Sequence, residues 1–468
     1  MMDTATAARA MAATLSGANV VFERVTTDSR ALQAGDLFVA LKGERFDGHD
    51  FVAQAFERGA AAAIVAADRM GALVGRMAGT LLAVADPLAA LAALAAFWRR
   101  CFSIPVAAIV GSNGKTTVKE MTAAILRAEF GTERVLATAG NLNNHIGLPV
   151  TVLRLRAPHR AAAIEMGMNH RGETAALAAI AQPTIAIITN AQREHQEFMK
   201  SIADVADEHA AAVNALPHDG VAVINADDAH AASWRDVARR RNAEGGRIEL
   251  RDFGLAAPAA VSARYREEIW GSAVEAETPL GAVEFDLRVQ GRHNVINALA
   301  AIAGATAAGA GLAAVRNGLS SFHAVAGRLE TKVALAGAAI IDDTYNANPD
   351  SVRAAIAVLA RARGRRWLAL GDMGEVGDQG PAFHREVGEY ARESNIERLF
   401  ATGDLARETV AAFGPGGEHF ASADALIAAL DRDLAAAGPD VTLLVKGSRF
   451  MRMERVVAAL TGSVGGGH

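Results

Sequence analysis

The chain has 468 residues, of which 51% are hydrophobic and 21% charged, with a formal net charge of −5 and a single cysteine, Cys101. This length predicts several domains, and the apolar content excludes a disordered chain. The negative charge argues against general binding to nucleic acid or acidic membranes, and one cysteine excludes an intramolecular disulfide. The N-terminus lacks a signal-peptide pattern, and no apolar run reaches the roughly 20 residues of a membrane span. We therefore expect a cytoplasmic protein without membrane insertion.

The first hundred residues contain short apolar segments between helical stretches. Strands are predicted there at 37–40, 61–65 and 81–84. Residues 104–110 then form a continuous apolar run, which is typical of a parallel strand that is buried on both faces. Further apolar strands alternate with helical stretches, and they are predicted at 161–165, 184–190 and 221–225. This alternation predicts a doubly wound α/β sheet.

The rest of the chain divides into two parts. Residues around 240–290 indicate shorter, more antiparallel strands, as in a small insertion. From about Gly327 a second βα series begins, with strands predicted at 338–342, 367–371, 398–402 and 441–446. We therefore predict an α/β protein of three domains with boundaries at 1–102, 103–326 and 327–468.

A glycine-rich loop between the strand ending at Val110 and a following helix carries the clearest functional signal. Its residues are Gly111, Ser112, Asn113, Gly114, Lys115, Thr116 and Thr117. Glycines let the backbone turn tightly and direct amide groups at phosphate oxygens, and the helix N-terminus adds its positive dipole. Lys115 would neutralise the β- and γ-phosphates, and Thr116 would offer a hydroxyl to Mg²⁺. The loop is shortened, because Ile109 stands at the place of the usual first glycine. A glycine-rich turn with an incidental lysine is the alternative to ATP or GTP binding.

Other polar residues follow apolar strands, at the edge where open α/β sheets bind ligands. Glu165 ends one predicted strand, Asn190 ends another, and His195 comes shortly after. A carboxylate and an imidazole beside a phosphate loop are plausible partners of Mg²⁺. Each also has an ordinary interpretation, since Glu165 could be a strand-end charge and His195 part of a solvated loop with Arg193, Glu194 and Glu197.

Three further polar segments are candidates for substrate binding. Residues 141–145 form an amide-dense loop, which could hydrogen-bond a polar substrate or simply form turns. Residues 342–349 follow a strand and precede a helix predicted near Ser351, where a capped helix start is the alternative. Lys446 also follows an apolar strand, and a buried lysine is costly unless it meets an anion.

In this order, these segments resemble the Mur ligases of peptidoglycan synthesis over nearly the whole chain. The segments that carry the resemblance are 27–30, 43–49, 111–117, 141–149, 165–168, 189–190, 291–298, 327–328, 342–349, 371–373 and 446–449. The resemblance implies a UDP-sugar-binding N-terminal domain, a central ATP-binding domain and a Rossmann-like C-terminal domain that takes the incoming amine. It is strongest to the members that join D-alanyl-D-alanine to UDP-N-acetylmuramoyl-tripeptide. That reaction consumes ATP with Mg²⁺ through an acyl phosphate, and we expect a monomer.

The resemblance also implies roles for individual residues. Those implied for the UDP-linked substrate are Ser29, Arg30, Asp47, Gly48 and His49. Those implied for the nucleotide, besides the phosphate loop, are Asn294 and Asn297 at the adenine and Arg328 and Asp343 from the C-terminal domain. Thr116, Glu165 and His195 would hold Mg²⁺, with Lys115, Glu165 and His195 as the catalytic set. Further substrate contacts are implied for Asn143, Asn144, Asn346, Asn348 and Lys446.

One departure from the family pattern concerns the helix after the His195 loop. Family members commonly carry a carbamylated lysine there, which bridges a second Mg²⁺. This chain has no lysine between Lys200 and Lys332, and the position falls at or beside His209. The carbamate therefore cannot form there. Either Glu208 or His209 supplies a substitute ligand, which we favour, or the second metal site is weaker.

Three other functions compete with this interpretation. The ligase that adds the third, diamino-acid residue usually has an Asp-Asn-Pro-Arg segment in its C-terminal domain, whereas residues 343–349 here read Asp-Thr-Tyr-Asn-Ala-Asn-Pro. Folylpolyglutamate synthase would not need the UDP-type N-terminal domain. A nucleotide-binding regulator without ligase chemistry would bind ATP but release no phosphate with substrates present. The sequence does not distinguish diaminopimelate from lysine in the tripeptide.

Overall fold

The structure is a computed structural model that describes residues 1–74, 79–268 and 271–463. Three mostly parallel sheets follow one another along the chain, each covered by helices, and a small antiparallel sheet is attached to the middle one. Among the described residues, no helix combines the length and the apolar character that crossing a membrane requires.

The N-terminal part is built around a sheet of short strands. Its elements are β1 (Met2–Asp3), α1 (Thr4–Met11), β2 (Thr14–Ser16), β3 (Val21–Phe22), β4 (Arg24–Thr26), β5 (Asp36–Val39), α2 (Val52–Glu57), β6 (Ala62–Ala66), α3 (Ala67–Leu73), β7 (Thr80–Val84) and α4 (Pro87–Arg99). The strand order is β2-β7-β6-β5-β4, and only β2 runs antiparallel to its neighbour within this sheet. The strands predicted here are confirmed to within one residue.

The central part carries the doubly wound sheet. Its elements are β8 (Val106–Val110), α5 (Lys115–Phe130), β9 (Val135–Ala137), α6 (Gly147–Val152), β10 (Ala161–Glu165), α7 (Glu173–Ala181), β11 (Ile185–Ile188), α8 (Ile202–Asn214), β12 (Val221–Asn225), α9 (Ala231–Ala243), β13 (Glu249–Phe253), β14 (Ser262–Glu268), β15 (Gly271–Thr278), β16 (Gly281–Leu287), α10 (Arg292–Ala307) and α11 (Leu312–Ser320). The parallel order is β13-β12-β11-β8-β10-β9. The predicted parallel strands are confirmed.

The region around 240–290 was only partly predicted. Strands β14, β15 and β16 do form an antiparallel sheet. The preceding segment differs, because β13 pairs parallel to β12 and extends the central sheet. β13 is an edge strand whose side chains are mostly half-exposed. Three of its five residues, Glu249, Arg251 and Asp252, are polar, so it lacks the continuous apolar run of a parallel strand that is buried on both faces.

The C-terminal part repeats the parallel architecture. Its elements are β17 (Glu330–Val333), β18 (Ala339–Asp343), α12 (Pro349–Leu359), β19 (Arg365–Gly371), α13 (Gly380–Glu393), β20 (Arg398–Thr402), α14 (Ala406–Phe413), β21 (Gly417–Phe420), α15 (Ala423–Ala437), β22 (Val441–Lys446) and α16 (Glu454–Thr461). The order is β17-β18-β22-β19-β20-β21, with β17 antiparallel to β18. The predicted strands are again confirmed.

The strands of the central sheet are apolar on both sides because each face is covered. All five residues of β8 are buried. One face packs on α5, α10 and the small antiparallel sheet, and the other shares an apolar core with α4 of the N-terminal part. The sharing of this core joins the N-terminal and central parts through hydrophobic contact, the main stabilising term in folding.

The strand order places a ligand-binding edge beside β8. From β8 the chain first crosses to β9 and β10 on one side and then to β11 on the other. Crevices at the carboxyl ends of strands where the winding reverses are the usual ligand sites of open α/β sheets. The loop that begins at Gly111 follows β8, Glu165 is the last residue of β10, and Asn190 comes two residues after β11, so all three lie at this edge.

Candidate active site

The loop 111–117 has a backbone that requires its glycines. Gly111 and Gly114 have φ angles of +133° and +85°. A Cβ on Gly111 would lie 2.0 Å from Thr189 Oγ1, and one on Gly114 would lie 2.5 Å from Asn297 Oδ1. The Thr189 hydroxyl donates to the Asn113 carbonyl at 2.7 Å. The loop is therefore tied closely to the next strand end and to α10.

Lys115 and Thr116 begin helix α5 at the end of this loop. Lys115 Nζ donates to the carbonyls of Gly111 and Ser112 and lies 3.4 Å from Glu194 Oε2. The Thr116 hydroxyl accepts a hydrogen bond of 2.8 Å from Arg328 Nη2, which comes from the C-terminal part. The ammonium group and the hydroxyl thus stand where the helix N-terminus favours an anion.

Glu165 lies at the end of β10 and is 3% exposed. Its Oε1 accepts a hydrogen bond of 2.7 Å from Asn143 Nδ2, whereas Oε2 is buried and has no hydrogen-bond partner among the described residues. A buried carboxylate oxygen without a partner is costly, and a bound cation removes that cost. This unpaired oxygen fits a role in holding Mg²⁺.

His195 lies in the loop between β11 and α8 with a φ angle of +49°, in the left-handed region. Its Nδ1 is 2.7 Å from Glu375 Oε2, and its Nε2 is 3.8 Å from Glu194 Oε2. His195 also lowers the pKa of Glu375. A left-handed backbone in a residue other than glycine is strained and tends to occur at functional sites.

Glu194 is the site residue that the sequence did not reveal. It stands in a polar stretch that indicated a solvated loop, yet its side chain is 7% exposed. Its Oε1 accepts from His209 Nε2 at 3.2 Å. Burial by itself would raise the pKa of Glu194, but Lys115, His209 and His195 together lower it to about 2. Glu194 is therefore a carboxylate held among three cationic or imidazole groups.

Glu208 is, with His209, a candidate to replace the missing lysine of α8 as a metal ligand. Its carboxylate, however, is used to cap another helix. Its two carboxylate oxygens accept hydrogen bonds from the backbone amides of Gly172 and Thr174, at 2.8 and 2.7 Å. Those amides lie at the N-terminus of α7, where a carboxylate is stabilised by the helix dipole. Glu208 therefore caps a helix and does not face the site.

Two asparagines of α10 lie beneath the phosphate loop. Asn297 Nδ2 donates to Asn294 Oδ1 at 3.1 Å, and Asn294 Nδ2 donates to the Gln290 carbonyl at 2.8 Å. The amides are therefore oriented by one another rather than by solvent. Half-buried His293 beside them has its pKa lowered to about 4, chiefly by burial and also by the charge of Lys446.

The C-terminal part contributes a charged pair at the ends of two neighbouring strands. Lys446 Nζ donates to Asp343 Oδ2 and to the Asn346 carbonyl. Burial raises the pKa of Asp343, and Lys446 opposes that shift. The anion that the buried lysine requires is therefore supplied by the protein itself.

Asn348 joins the start of α12 to the phosphate loop. Its Oδ1 accepts from Ser351 N at 2.8 Å, which caps α12. Its Nδ2 donates to Asn113 Oδ1 at 3.0 Å. The predicted capped helix start and a contact with the phosphate loop are thus both present.

Arg193 forms an ionic connection between the central and C-terminal parts. Its guanidinium lies 2.6 Å from Asp350 Oδ1 and 2.6 Å from Glu386 Oε2, and its side chain is 20% exposed. The next two residues are Glu194 and His195. Arg193 therefore fastens the loop that carries both side chains to helices α12 and α13.

We expect Arg193→Met to weaken the association of the central and C-terminal parts by about 2 kcal/mol. This is a change of roughly 30-fold in the ratio of molecules in which the two parts are in contact to molecules in which they are apart. Small-angle X-ray scattering of the protein without ligands should then give a larger radius of gyration. The matched control is Arg235→Met, which removes an ion pair with Asp252 inside the central part at similar exposure (23%). An unchanged scattering curve for Arg193→Met would contradict this role.

Most of the predicted site residues line one cavity of about 930 Å³ between the central and C-terminal parts. The predicted residues on its wall are Ser112, Asn113, Gly114, Lys115, Thr116, Thr117, Asn143, Asn144, Glu165, His195, Asn294, Asn297, Arg328, Asp343, Asn346, Asn348 and Lys446. Asn144 also accepts from the Ile146 and Gly147 amides, so it forms a turn as well. Residues from two sheets thus meet around one space.

The residues predicted for the UDP-linked substrate are more dispersed. Asp47 and His49 line a second cavity of about 690 Å³ next to Arg69 and His145. Both ring nitrogens of His49 are engaged, with the Asp47 carboxylate at 2.6 Å and the Ala66 amide at 2.9 Å. Gly48, Ser29 and Arg30 line neither cavity. Arg30 is largely exposed and pairs with Asp28.

The donor set at the main cavity fits Mg²⁺ together with phosphate oxygens. In the parts of the chain that the structure describes, no group of three or more His, Cys, Asp or Glu side chains forms a ready metal site. Mg²⁺ is usually bound by one or two carboxylates, with substrate phosphates and water completing its shell. The Glu165 carboxylate and the Thr116 hydroxyl match that pattern, and the His195 imidazole adds a nitrogen donor to the lining of the same cavity.

Comparisons with known proteins agree along the chain. Residues 109–305 match the Mur ligase middle domain, 327–449 the Mur ligase glutamate ligase domain, and 21–99 the Mur ligase family catalytic domain. The UDP-N-acetylmuramoyl-tripeptide–D-alanyl-D-alanine ligase of Escherichia coli is 42% identical over 95% of both chains.

Solved structures give the same result. MurF from Acinetobacter baumannii superposes with a TM-score of 0.89 at 32% identity, over 99% of this chain and 100% of that one. MurF ligase from Thermotoga maritima in complex with ADP has a TM-score of 0.79 at 26% identity, over 94% and 97%. On the strength of the three matched domains and these full-length relatives, the chain belongs to the Mur ligase family.

Proposed function

We propose that the chain is an ATP-dependent ligase that joins D-alanyl-D-alanine to UDP-N-acetylmuramoyl-tripeptide in the synthesis of peptidoglycan precursors. The observation that carries the proposal is the cavity of about 930 Å³, because a phosphate loop forms one wall and the polar strand ends of a second sheet form the other. The full-length relatives named for this reaction support the choice of substrates.

The first step transfers the γ-phosphoryl group of ATP to the tripeptide carboxylate. Both reactants are anions, so the site must cancel their repulsion and position them. Lys115 and the amides of 111–117 hold the phosphates, and Asn294 and Asn297 flank the adenine. Arg328 reaches across from the C-terminal domain, where its guanidinium stacks on Tyr345 at 4.0 Å from the ring centre.

Glu165, His195 and Thr116 would hold Mg²⁺. The metal supplies charge neutralisation at the phosphoryl oxygens. Asn143 orients Glu165 through its hydrogen bond to Oε1, which leaves Oε2 available. Glu375 Oε2 lies 2.7 Å from the other ring nitrogen of His195, so the C-terminal domain contributes a carboxylate beside this proposed metal ligand.

The second step is attack of the D-alanyl-D-alanine amine on the acyl phosphate. Asn346 and Asn348 take the dipeptide at the start of α12, and Asp343 and Lys446 keep that edge charge-balanced. Acyl phosphates hydrolyse readily, so the central and C-terminal domains must exclude water while the intermediate exists. The contacts of Arg193, Arg328 and Asn348 hold the two domains together for this purpose.

The UDP end of the substrate would lie against the N-terminal domain. Asp47 and His49 lie on the wall of the second cavity, whereas Gly48 between them and Ser29 and Arg30 in the loop after β4 lie outside the lining of both cavities. His145 and Asp86 border both cavities. A single elongated substrate can therefore have its nucleotide in one cavity and its peptide in the other.

We also propose the domain boundaries 1–102, 103–326 and 327–468, a monomeric enzyme and a cytoplasmic location. Each boundary falls between two sheets. ATP and UDP-linked precursors are cytoplasmic metabolites, and the chain carries both candidate cavities by itself. Light scattering after size-exclusion chromatography would test the monomer.

The deciding assay is phosphate release with matched substrate pairs. UDP-N-acetylmuramoyl-tripeptide with D-alanyl-D-alanine should be turned over at least about 100-fold faster than the UDP-linked dipeptide with a diamino acid. L-Alanyl-L-alanine serves as the stereochemical control. Faster turnover of the dipeptide pair would make the chain the diamino-acid ligase, and ATP binding without phosphate release would favour a regulator.

A further inference from the structure

Helix α8 lacks the lysine that family members commonly carbamylate, and His209 stands at or beside that position. His209 is 1% exposed, and its Nε2 donates to Glu194 Oε1 at 3.2 Å. Glu194 lines the main cavity, whereas His209 does not. The Glu194 carboxylate thus reaches the cavity from the loop before α8. It is hydrogen-bonded to His209, the helix residue that replaces the lysine.

We propose that Glu194, positioned by His209, supplies the anionic oxygen ligand that the family's carbamylated lysine supplies elsewhere, so that this enzyme holds its second Mg²⁺ without taking up CO₂. The inference rests on the proposed ligase function. Glu194 would be the metal ligand, and His209 a positioning residue.

The distances are compatible with one ion shared by Glu194 and His195. Glu194 Oε2 lies 3.8 Å from His195 Nε2. Two ligands on one Mg²⁺ with bonds of about 2.1 Å can be at most about 4.2 Å apart. The unpaired Oε2 of Glu165 faces the same cavity and gives an independent indication of a cation.

Lys115 explains how the Glu194 carboxylate becomes available. Lys115 Nζ lies 3.4 Å from Glu194 Oε2 and also donates to two carbonyls of its own loop. When Lys115 turns to the phosphates, it leaves Glu194 Oε2, while His209 keeps Oε1 in place. Glu208 cannot fill this role, because both of its oxygens cap α7.

The first experiment counts metal ions by electron paramagnetic resonance, with Mn²⁺ and the non-hydrolysable ATP analogue adenylyl imidodiphosphate bound to the full chain. Wild type should bind two Mn²⁺ and Glu194→Gln only one. Glu208→Gln is the matched control, since Glu208 is as buried as Glu194 (7%) but faces away from the cavity. It should lose thermal stability and keep two ions.

The second experiment restores the missing lysine. In the double variant Glu194→Ala/His209→Lys, the lysine amine can add to CO₂ and release one proton to form a carbamate. With ¹³C-bicarbonate, this variant should show a carbamate carbon resonance and regain a second Mn²⁺. Wild type should show no such resonance, and its phosphate release should be the same in CO₂-free buffer.

Several results would overturn the inference. Two tightly bound Mn²⁺ in a folded Glu194→Gln variant would do so, and so would a single Mn²⁺ in wild type or a wild-type rate that depends on bicarbonate. Circular dichroism and metal-free ADP binding establish that each variant is folded. Failure of the ligase function would appear separately, as a wild-type chain that takes up no nucleotide in the same titration, and it would overturn both proposals.

Discussion

Lys115→Ala should reduce phosphate release about 10²- to 10³-fold while leaving the fold intact, because removal of one preorganised charge from the transferring phosphoryl group costs about 3–4 kcal/mol. The folded state should tolerate the change, since within the described parts of the chain Lys115 donates to carbonyls of its own loop and to Glu194. Single-turnover phosphate release measures the chemical step, and calorimetry with ADP separates it from nucleotide binding.

Lys200→Ala is the control for this variant. Lys200 is exposed in the loop before α8 and lines neither cavity, so its loss removes the same charge without touching the site. Its rate should match that of wild type. Near-normal turnover in Lys115→Ala would refute the assignment of 111–117 as the phosphate-binding loop.

Glu165→Gln should separate stability from activity. Phosphate release should fall about 10²-fold or more, because the carboxylate that we propose as a ligand of Mg²⁺ is replaced by a neutral amide. The free energy of unfolding should not fall, and it should rise by about 1 kcal/mol, because the change removes a buried charge whose Oε2 has no partner.

Two measurements check this separation. Urea unfolding without metal gives the stability, and a Mg²⁺ titration of the reaction gives the apparent metal affinity, which should weaken. The amide can still accept a hydrogen bond from Asn143, so the loop 141–145 should stay in place. A destabilised variant with unchanged Mg²⁺ dependence would mean that Glu165 is a structural residue and not a metal ligand.

The positions of Lys115 and Glu165 could be predicted because both depend on local pattern. Each follows a continuous apolar run, and parallel strands place their carboxyl ends on one edge. The φ angles of Gly111 and Gly114 likewise agree with the residue type at each position. Local rules therefore bring the nucleotide half of the site together.

Glu194 could not be predicted in this way, because its burial depends on residues that are distant in the sequence. Lys115 lies 79 positions before it and His209 lies 15 positions after it. The sequence has a polar stretch without periodicity at this point, Arg193-Glu194-His195-Gln196-Glu197, and such a stretch is typical of a solvated loop. Packing of α8 against the sheet turns one of these charges inward, while Arg193 bridges to α12 and α13.

The amino-acid sequence by itself determined the three α/β units, the phosphate loop and the strand-end carboxylate, since hydrophobic periodicity and glycine content act over a few residues. Only the tertiary structure decided which charges are buried, that Glu208 caps α7 and that Glu194 faces the cavity. The reason is that the electrostatic environment of a side chain is set by groups brought near it in space, and their distance along the chain carries no information about that proximity.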